Sequence, residues 1–271
     1  MTTTSEKFVV YWLGYHLNPP TIQSLPKGID VVNLFLLNLA PSTGSGTTLD
    51  YTYITSKGTT WASILEQAQA ARAQGVKVCV SIIPPPSNTP IWNTIPDPDT
   101  FAQNVYNLVT KWGLDGIDID PEQGNSVPPN ENFITVVKAL SKYFGPAAGK
   151  GLIMSYVGFQ FSMDETVLKP CASLFDYVTL MGYQWDQQTM IAVFKEYAAI
   201  VGNKNLMFGI GGDPWYTPLL ETEALAAWEP TGATKGGMME FNINDDTNYQ
   251  AANAIIKALS PQTAMAQALN S

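Results

Sequence analysis

The chain has 271 residues, of which 45% are hydrophobic and 14% charged, and 14 basic against 23 acidic side chains give a formal net charge of −9. This composition is typical of a folded globular protein and excludes an intrinsically disordered chain. An acidic surface repels phosphate backbones, so we expect no nucleic-acid partner, and no stretch approaches the roughly 20 apolar residues that span a bilayer, so we expect no membrane partner.

The two cysteines and the single histidine narrow the possible chemistry. Two cysteines cannot build a disulfide framework or a four-ligand zinc site. Cys79 lies within the apolar run 76–83, which indicates a buried free thiol. A single histidine excludes a multi-histidine metal site. That residue, His16, lies between a strand-like segment and two prolines, which predicts a loop residue and not a catalyst.

Short β-branched or apolar runs alternate along the chain with longer amphipathic runs. The predicted strands are 8–14, 30–40, 76–83, 116–120, 151–157, 177–183, 206–210 and 237–243. The predicted helices are 61–74, 101–112, 132–144, 190–201, 221–228 and 249–259. Eight strands with helical crossovers predict an α/β fold, a single (β/α)8 or TIM barrel that forms one catalytic domain over residues 1–271. A doubly wound open sheet is the alternative, but its usual glycine-rich phosphate turn is absent.

Two long segments, 41–60 and 84–98, are rich in Gly, Ser, Thr and Pro. Each follows a predicted strand, so both are predicted to be βα loops. The βα loops of a (β/α)8 barrel build its active-site face. We therefore expect both segments to border the functional site.

The most informative stretch is 114–122, which reads L-D-G-I-D-I-D-P-E. Because side chains alternate along a strand, Asp118, Asp120 and Glu122 share one face and the two isoleucines share the other. In a barrel the isoleucines would pack against helices and the acids would point inward. Asp115 has the other parity and lies near the start of the strand, so a structural role is predicted for it.

Three acids on one inner face are costly, because each repels the next and loses hydration. Coupled carboxylates split their protonation, so one can stay protonated near neutral pH beside a charged neighbour. A general acid requires this state. Taken alone, the pattern also allows a divalent-metal site or a solvated acidic rim at a strand end.

The pattern D-G-x-D-x-D-x-E at the end of the fourth predicted strand resembles the signature of glycoside hydrolase family 18. Every position matches, at Asp115, Gly116, Asp118, Asp120 and Glu122. The resemblance is weaker elsewhere but covers most of the chain. The matching pieces are V-V-Y at 9–11 and V-N-L-F at 32–35 in the first two strands, M-G-Y at 181–183 for the sixth-strand motif M-x-Y, and G-G-M-M-E-F at 236–241 for the eighth-strand motif G-G-x-M-x-W.

The resemblance implies a role for each matching residue. Glu122 would protonate the leaving glycosidic oxygen and later deprotonate the attacking water, while the substrate's own acetamide oxygen attacks the anomeric carbon. Asp120 would hold the acetamide N–H, and Asp118 would lie behind it and help to set its charge. Tyr183 would hydrogen-bond the acetamide carbonyl. Neither a metal nor a cofactor is implied.

Four further residues complete the predicted site as substrate-binding residues: Tyr11, Phe241, Gln184 and Trp185. Phe241 takes the place of the family's usual tryptophan, the floor of a sugar site, and a smaller ring still offers a stacking face. Gln184 replaces the aspartate of the usual M-x-Y-D. Tryptophans in or beside predicted βα loops can stack on sugars or pack in the core. They are Trp92, Trp185 and Trp215.

Departures from the family pattern bear on the substrate. Many chitinases have S-x-G-G in the third strand, where this chain has S-I-I-P at 81–84. Some endo-β-N-acetylglucosaminidases of the family lack these glycines and the aspartate after the tyrosine, and D-P-E-Q at 120–123 followed by the predicted helix 132–144 resembles that branch. We therefore expect cleavage of the β-1,4 bond between the two core N-acetylglucosamine (GlcNAc) residues of N-glycans. Chitin or chito-oligosaccharides are the alternative substrates.

Two other classes of protein fit the same strand pattern. A sugar-binding lectin on this barrel typically loses the catalytic glutamate or its partner aspartate, whereas Glu122, Asp120 and Tyr183 are all present. A metal-dependent barrel hydrolase would use Asp118, Asp120 and Glu122 as ligands.

The expected partner is a glycan or glycoprotein that contains GlcNAc, and the expected state is a monomer. Residues 1–7 are polar and carry no apolar signal core, so either export does not use such a signal or this chain lacks it. A secreted protein is expected, with a cytoplasmic location as the alternative.

Overall fold

A computed structural model of the chain describes residues 6–42, 46–85, 91–122, 127–212 and 216–260. All of its strands except β3 form a closed parallel barrel, since β1 pairs with both β2 and β9. The predicted (β/α)8 barrel is therefore confirmed. The strands are β1 Lys7–Leu13, β2 Val31–Ser42, β3 Gly46–Asp50, β4 Lys77–Ile83, β5 Gly116–Ile119, β6 Ile153–Gly158, β7 Tyr177–Met181, β8 Leu206–Gly211 and β9 Gly237–Phe241.

Seven α-helices lie in the described part of the chain and surround the barrel. Six match predicted helices, with ends that differ by a few residues. The second begins earlier than predicted because the Asp97 side chain accepts a hydrogen bond from Thr100 N at 3.0 Å and caps it, with Pro98 in the first helical position. The helices are α1 Trp61–Ala73, α2 Pro98–Trp112, α3 Glu131–Leu140, α4 Phe161–Cys171, α5 Gln187–Val201, α6 Leu219–Ala227 and α7 Gln250–Leu259.

Two elements correct the sequence prediction. β3 lies within the segment 41–60, which was predicted as a loop, and pairs antiparallel with the extended end of β2, where Asn38 faces Asp50. The helix α4 was not predicted at all. It carries Pro170 in its last turn, where proline removes a helical hydrogen bond, and it ends one residue later at Cys171.

Alternation along β5 separates its apolar and acidic side chains as predicted. Ile117 and Ile119 are fully buried in the apolar layer between the barrel and the helices. Asp118 lies on the opposite face, inside the barrel, and is also fully buried. Gly116 has φ +158°, and a Cβ there would lie 2.3 Å from the Ile153 carbonyl oxygen, so only glycine lets β6 approach this closely.

Asp115 lies at the amino-terminal end of β5, away from the other acids. It accepts hydrogen bonds from Arg72 Nε at 2.7 Å, Lys77 Nζ at 3.2 Å and Val78 N at 3.0 Å. Burial raises its pKa, but the hydrogen bonds from Arg72, Val78 and Lys77 outweigh burial and hold the pKa below its usual range. Asp115 thus links β5 to α1 and β4.

Candidate active site

A pocket of about 420 Å³ opens where the barrel strands end at their carboxyl termini. This is the end of a (β/α)8 barrel at which active sites lie. Seven predicted site residues line the pocket, and Asp118 lies beneath it. The lining residues are Tyr11, Phe35, Ile83, Asp120, Glu122, Val157, Phe159, Met181, Tyr183, Gln184, Trp185 and Phe241.

Asp118 lies inside the barrel beneath the pocket, where three hydroxyl groups surround its carboxylate. It accepts hydrogen bonds from Tyr11 Oη at 2.7 Å, Ser81 Oγ at 2.8 Å and Ser155 Oγ at 2.6 Å. Burial raises the pKa of Asp118, and the three hydroxyl hydrogen bonds oppose that rise because they favour the anion. The serine of S-I-I-P therefore contacts the acid strand even though the two glycines are missing.

Asp120 is the deepest acid of the pocket itself. Its Oδ1 accepts a hydrogen bond from the Glu122 backbone N–H at 3.0 Å, so the end of the strand folds back onto its own side chain. Its carbonyl oxygen accepts a hydrogen bond from Trp92 Nε1 at 2.9 Å. Burial, followed by the negative charges of Glu122 and Asp118, raises the pKa of Asp120 well above its usual value. A positive charge that forms beside Asp120 would lower this pKa and favour its anion.

Glu122 is held near an acid that the sequence analysis missed. Burial and then the negative charge of Asp164 raise the pKa of Glu122 above that of an ordinary glutamate. Asp164 lies in the first turn of α4 and is 1% exposed. Since α4 was not predicted, nothing assigned Asp164 to a buried position. An isolated acid followed by apolar residues at helical spacing is the signal that could have revealed it.

Four donors hold the Asp164 carboxylate. Tyr156 Oη donates at 2.6 Å and Tyr197 Oη at 2.5 Å. The backbone N–H groups of Phe159 and Gln160 donate at 2.7 and 2.8 Å. Phe159 itself lines the pocket. Burial raises the pKa of Asp164, and these four hydrogen bonds oppose that rise because they favour the anion. Asp164 therefore fixes the turn between β6 and α4, and its anion is a negative charge behind the pocket wall.

Aromatic rings form the floor of the pocket around Phe241. The ring of Tyr183 stacks on it with centroids 5.5 Å apart and planes at 24°. The rings of Tyr11 and Phe35 approach the same ring at 5.8 and 5.2 Å. Burial, followed by the charges of Asp120 and Glu122, raises the pKa of Tyr183 well above its usual value, so its hydroxyl stays a hydrogen-bond donor.

The remaining predicted residues divide between pocket and core. Gln184 lines the pocket with φ +64°, and Trp185 beside it is 37% exposed. Trp92 is fully buried and stacks on Phe133 with ring centroids 5.1 Å apart, so it belongs to the core. Trp215 lies outside the described residues.

Comparison with known proteins decides the family. A family model of the endo-β-N-acetylglucosaminidase EndoS TIM-barrel domain matches residues 14–240. The chain belongs to glycoside hydrolase family 18. The predicted membership of this family is thereby confirmed.

Several relatives and solved structures are similar to this family 18 glycosidase. Endo-β-N-acetylglucosaminidase F2 of Elizabethkingia meningoseptica is 25% identical over 275 residues, which cover 90% of this chain and 77% of that protein. The apo endo-β-N-acetylglucosaminidase of Cordyceps militaris has a TM-score of 0.69 at 21% identity, and the match covers 96% of this chain and 92% of that enzyme's chain. A family 18 chitinase of Pseudoalteromonas aurantia has a TM-score of 0.73 at 17% identity, and the match covers 93% of this chain and 99% of the chitinase chain.

The chain is a hydrolase, as are the endo-β-N-acetylglucosaminidases and chitinases to which it is similar. A lectin on this barrel typically loses the catalytic glutamate or its partner aspartate, whereas Asp120 and Glu122 both line the pocket here, so the lectin alternative is not supported. The metal-dependent alternative lacks a ligand set within the described ranges, where no three His, Cys, Asp or Glu side chains are arranged to hold a metal ion. The same ranges contain no helix long and apolar enough to cross a membrane.

Proposed function

We propose that this glycosidase is an endo-β-N-acetylglucosaminidase that cuts between the two core GlcNAc residues of N-glycans with retention of configuration. The observation that carries the proposal is the position of Asp120 and Glu122 at the end of one strand, above Asp118 and beside the aromatic floor of Phe241. These residues can serve the two halves of a substrate-assisted reaction.

In the first half, Glu122 gives its proton to the glycosidic oxygen as the bond from that oxygen to the anomeric carbon breaks. The carbonyl oxygen of the substrate's acetamide forms the new bond to the anomeric carbon, which yields an oxazolinium ion. The Asp120 carboxylate accepts a hydrogen bond from the acetamide N–H and stabilises the positive charge of the oxazolinium ion. Tyr183 donates to the acetamide oxygen and orients it. In the second half, Glu122 takes a proton from water as that water attacks the same carbon from the side of the departed group. The bond between that carbon and the acetamide oxygen breaks, which restores the acetamide and releases the sugar with retained configuration.

The position of the acids supports this mechanism over a two-carboxylate one. A two-carboxylate retaining enzyme places its carboxyl groups on either side of the scissile bond. Among the pocket-lining residues that the structure describes, the acids are Asp120 and Glu122, which lie two residues apart at one strand end, where the Glu122 backbone N–H donates to Asp120 Oδ1. An attacking group from the substrate itself fills the role of the missing second carboxylate.

The substrate choice rests on relatives and on the pocket edge. The relative from Elizabethkingia meningoseptica, which is matched over 77% of its length, is an endo-β-N-acetylglucosaminidase. A double mutant of the Cordyceps militaris enzyme has been solved with fucosyl-N-acetylglucosamine-Asn, which is the core of an N-glycan attachment. In this chain, Ile83 and Gln184 line the pocket where many chitinases have glycine and aspartate. The bulk of Ile83 narrows the approach of a uniform GlcNAc chain.

Product analysis tests the substrate. We expect a high-mannose or a complex-type glycoprotein to lose its glycan and keep one GlcNAc on each asparagine, as measured by mass, with much slower cleavage of chito-oligosaccharides. A thiazoline analogue of the oxazolinium ion should inhibit competitively. Efficient cleavage of chito-oligosaccharides with untouched glycoproteins would show a chitinase instead, and failure of the thiazoline to bind would argue for an enzyme nucleophile.

The pH dependence tests the role of Asp164. Glu122 must be protonated to act first, so the rate falls as pH rises through its pKa, and the negative charge of Asp164 raises that pKa. Replacing Asp164 with asparagine removes the charge, lowers the pKa of Glu122 and should move the basic limb of the kcat profile to lower pH. Asp186→Asn is the matched control because Asp186 also starts a helix but is exposed. An Asp164→Asn profile that falls equally at every pH, with its basic limb in place, would refute the electrostatic role.

A further inference from the structure

Beyond the pocket, the described residues include a second aromatic surface. The rings of Tyr15 and Tyr53, here called the aromatic shelf, lie with centroids 4.7 Å apart. Tyr15 also approaches Phe35 at 6.4 Å, and Phe35 lines the pocket and contacts Phe241 at 5.2 Å. A continuous run of rings therefore leads from the pocket floor to Tyr53, which is 44% exposed.

The shelf is fixed in place before any ligand arrives. A Cβ on Gly14 would lie 2.6 Å from the side chain of Ile54, so the missing side chain lets the segments that carry Tyr15 and Tyr53 pack directly together. Ile54 is fully buried. Asn244 holds the preceding residue of the first segment, since its side chain bonds the backbone N–H and carbonyl of Leu13 at 2.9 and 3.0 Å. A preorganised surface loses little entropy on binding.

One edge of the shelf is polar. The His16 ring lies 5.6 Å from that of Tyr15, and His16 Nδ1 is 3.5 Å from Asp245 Oδ1. The Asp245 side chain is 30% exposed. A ring face beside a carboxylate matches a pyranose, which has an apolar C–H face and hydroxyl donors around its rim. The formal net charge of −9 disfavours an acidic sugar.

We propose that the aromatic shelf is a second sugar-binding subsite, which stacks a neutral hexose of the substrate on Tyr53 while GlcNAc occupies the pocket. The inference rests on the proposed function, under which that hexose is a mannose of the N-glycan arm. Asp245 Oδ2 already accepts a hydrogen bond from Asn242 Nδ2 at 2.9 Å, so Oδ1, beside His16 at the Tyr15 edge of the shelf, accepts from the hydroxyls of the hexose. The shelf thereby selects for substrates that extend beyond the pocket.

A neighbouring residue provides a matched control. Tyr51 is 43% exposed, almost the same as Tyr53. Its ring stacks instead on Trp61, with centroids 5.2 Å apart and planes at 13°, and meets Trp112 at 6.3 Å. Both tryptophans belong to helices and not to the pocket. Two tyrosines of equal exposure, two positions apart in the sequence, thus differ in their connection to the pocket.

The test compares kcat/KM for a high-mannose glycopeptide and for an aryl chitobioside, which has no mannose. We expect Tyr53→Ala to lower the ratio of the first to the second by about three- to tenfold, the usual worth of one stacked ring, mainly through KM. Tyr51→Ala should leave the ratio unchanged, and Tyr53→Phe should retain most of it. Equal ratios for Tyr53→Ala and Tyr51→Ala would overturn the subsite assignment.

Failure of the proposed function and failure of the subsite give different results. If the unmodified protein leaves the glycopeptide intact while it cuts chito-oligosaccharides, the N-glycan proposal and the mannose assignment both fall. If the unmodified protein cuts the glycopeptide and Tyr53→Ala leaves the ratio of the two kcat/KM values unchanged, only the subsite assignment is wrong.

Discussion

Replacement of Glu122 by glutamine is expected to lower turnover by about 10²- to 10⁴-fold, the usual contribution of a positioned general acid. Glutamine keeps the shape of the side chain but has no proton to give to the leaving oxygen. Because burial and the charge of Asp164 raise the pKa of Glu122, the native residue retains that proton at a pH where an ordinary glutamate has lost it. Initial rates on a glycopeptide, followed by mass, measure the change.

The fold of the Glu122→Gln protein should be unchanged, since glutamine has nearly the same shape and adds no charge beside the other acids. Thermal unfolding and circular dichroism check this point. Glu131→Gln is the control, because Glu131 is an exposed acid in the first turn of α3, the next helix of the chain. Turnover of Glu122→Gln close to that of the unmodified protein would remove Glu122 from the mechanism.

Asp120→Asn is expected to cost about 10²- to 10³-fold in kcat, similar to the loss of one preorganised group that faces charge in the transition state. Asparagine keeps an oxygen to accept the hydrogen bond from Glu122 N. It loses the negative charge that stabilises the oxazolinium ion, so kcat should fall while KM changes little. The affinity for a thiazoline analogue should fall in parallel, because the analogue resembles the charged intermediate and not the substrate.

Asp115→Asn is the control for that substitution on the same strand. Asp115 bonds Arg72 and Lys77 at the other end of β5, so its loss should lower the unfolding free energy by about 1–3 kcal/mol and leave kcat nearly unchanged. If Asp120→Asn lowered only stability, with kcat and thiazoline affinity intact, Asp120 would have the same structural task as Asp115.

The acid strand shows what alternation alone can predict. A period of two placed Asp118 inside the barrel and the isoleucines outside, and the structure agrees because β5 is short, regular and buried on both faces. The same rule fails on β2, where the register shifts between Leu34 and Leu37. Phe35 still obeys the alternation, since it lies with Val31 in the barrel interior while Val32 and Leu34 face the helices. Beyond Phe35, Leu37 and Leu39 also face the helices, and a period of two could not predict this change.

Asp164 and Tyr53 were missed for different physical reasons. Asp164 depends on α4, whose proline concealed the helix. Its function also depends on proximity to Glu122 across two elements, which no local pattern encodes. Tyr53 follows β3 in a segment that composition alone marked as a loop, and its contact with Tyr15 depends on how the segment after β3 packs against the segment after β1.

The closure of the barrel has a consequence for biosynthesis. Tyr11 comes from the first strand and Phe241 from the last, yet their rings lie 5.8 Å apart on the pocket floor. A nascent chain that has released every strand before β9 already carries Asp118, Asp120 and Glu122, but it has neither the floor nor the pairing that closes the barrel on β1. Contacts between such distant parts of a chain form late in folding. We therefore expect a translation product that stops short of β9 to lack both the pocket floor and the closed barrel, and so to be inactive.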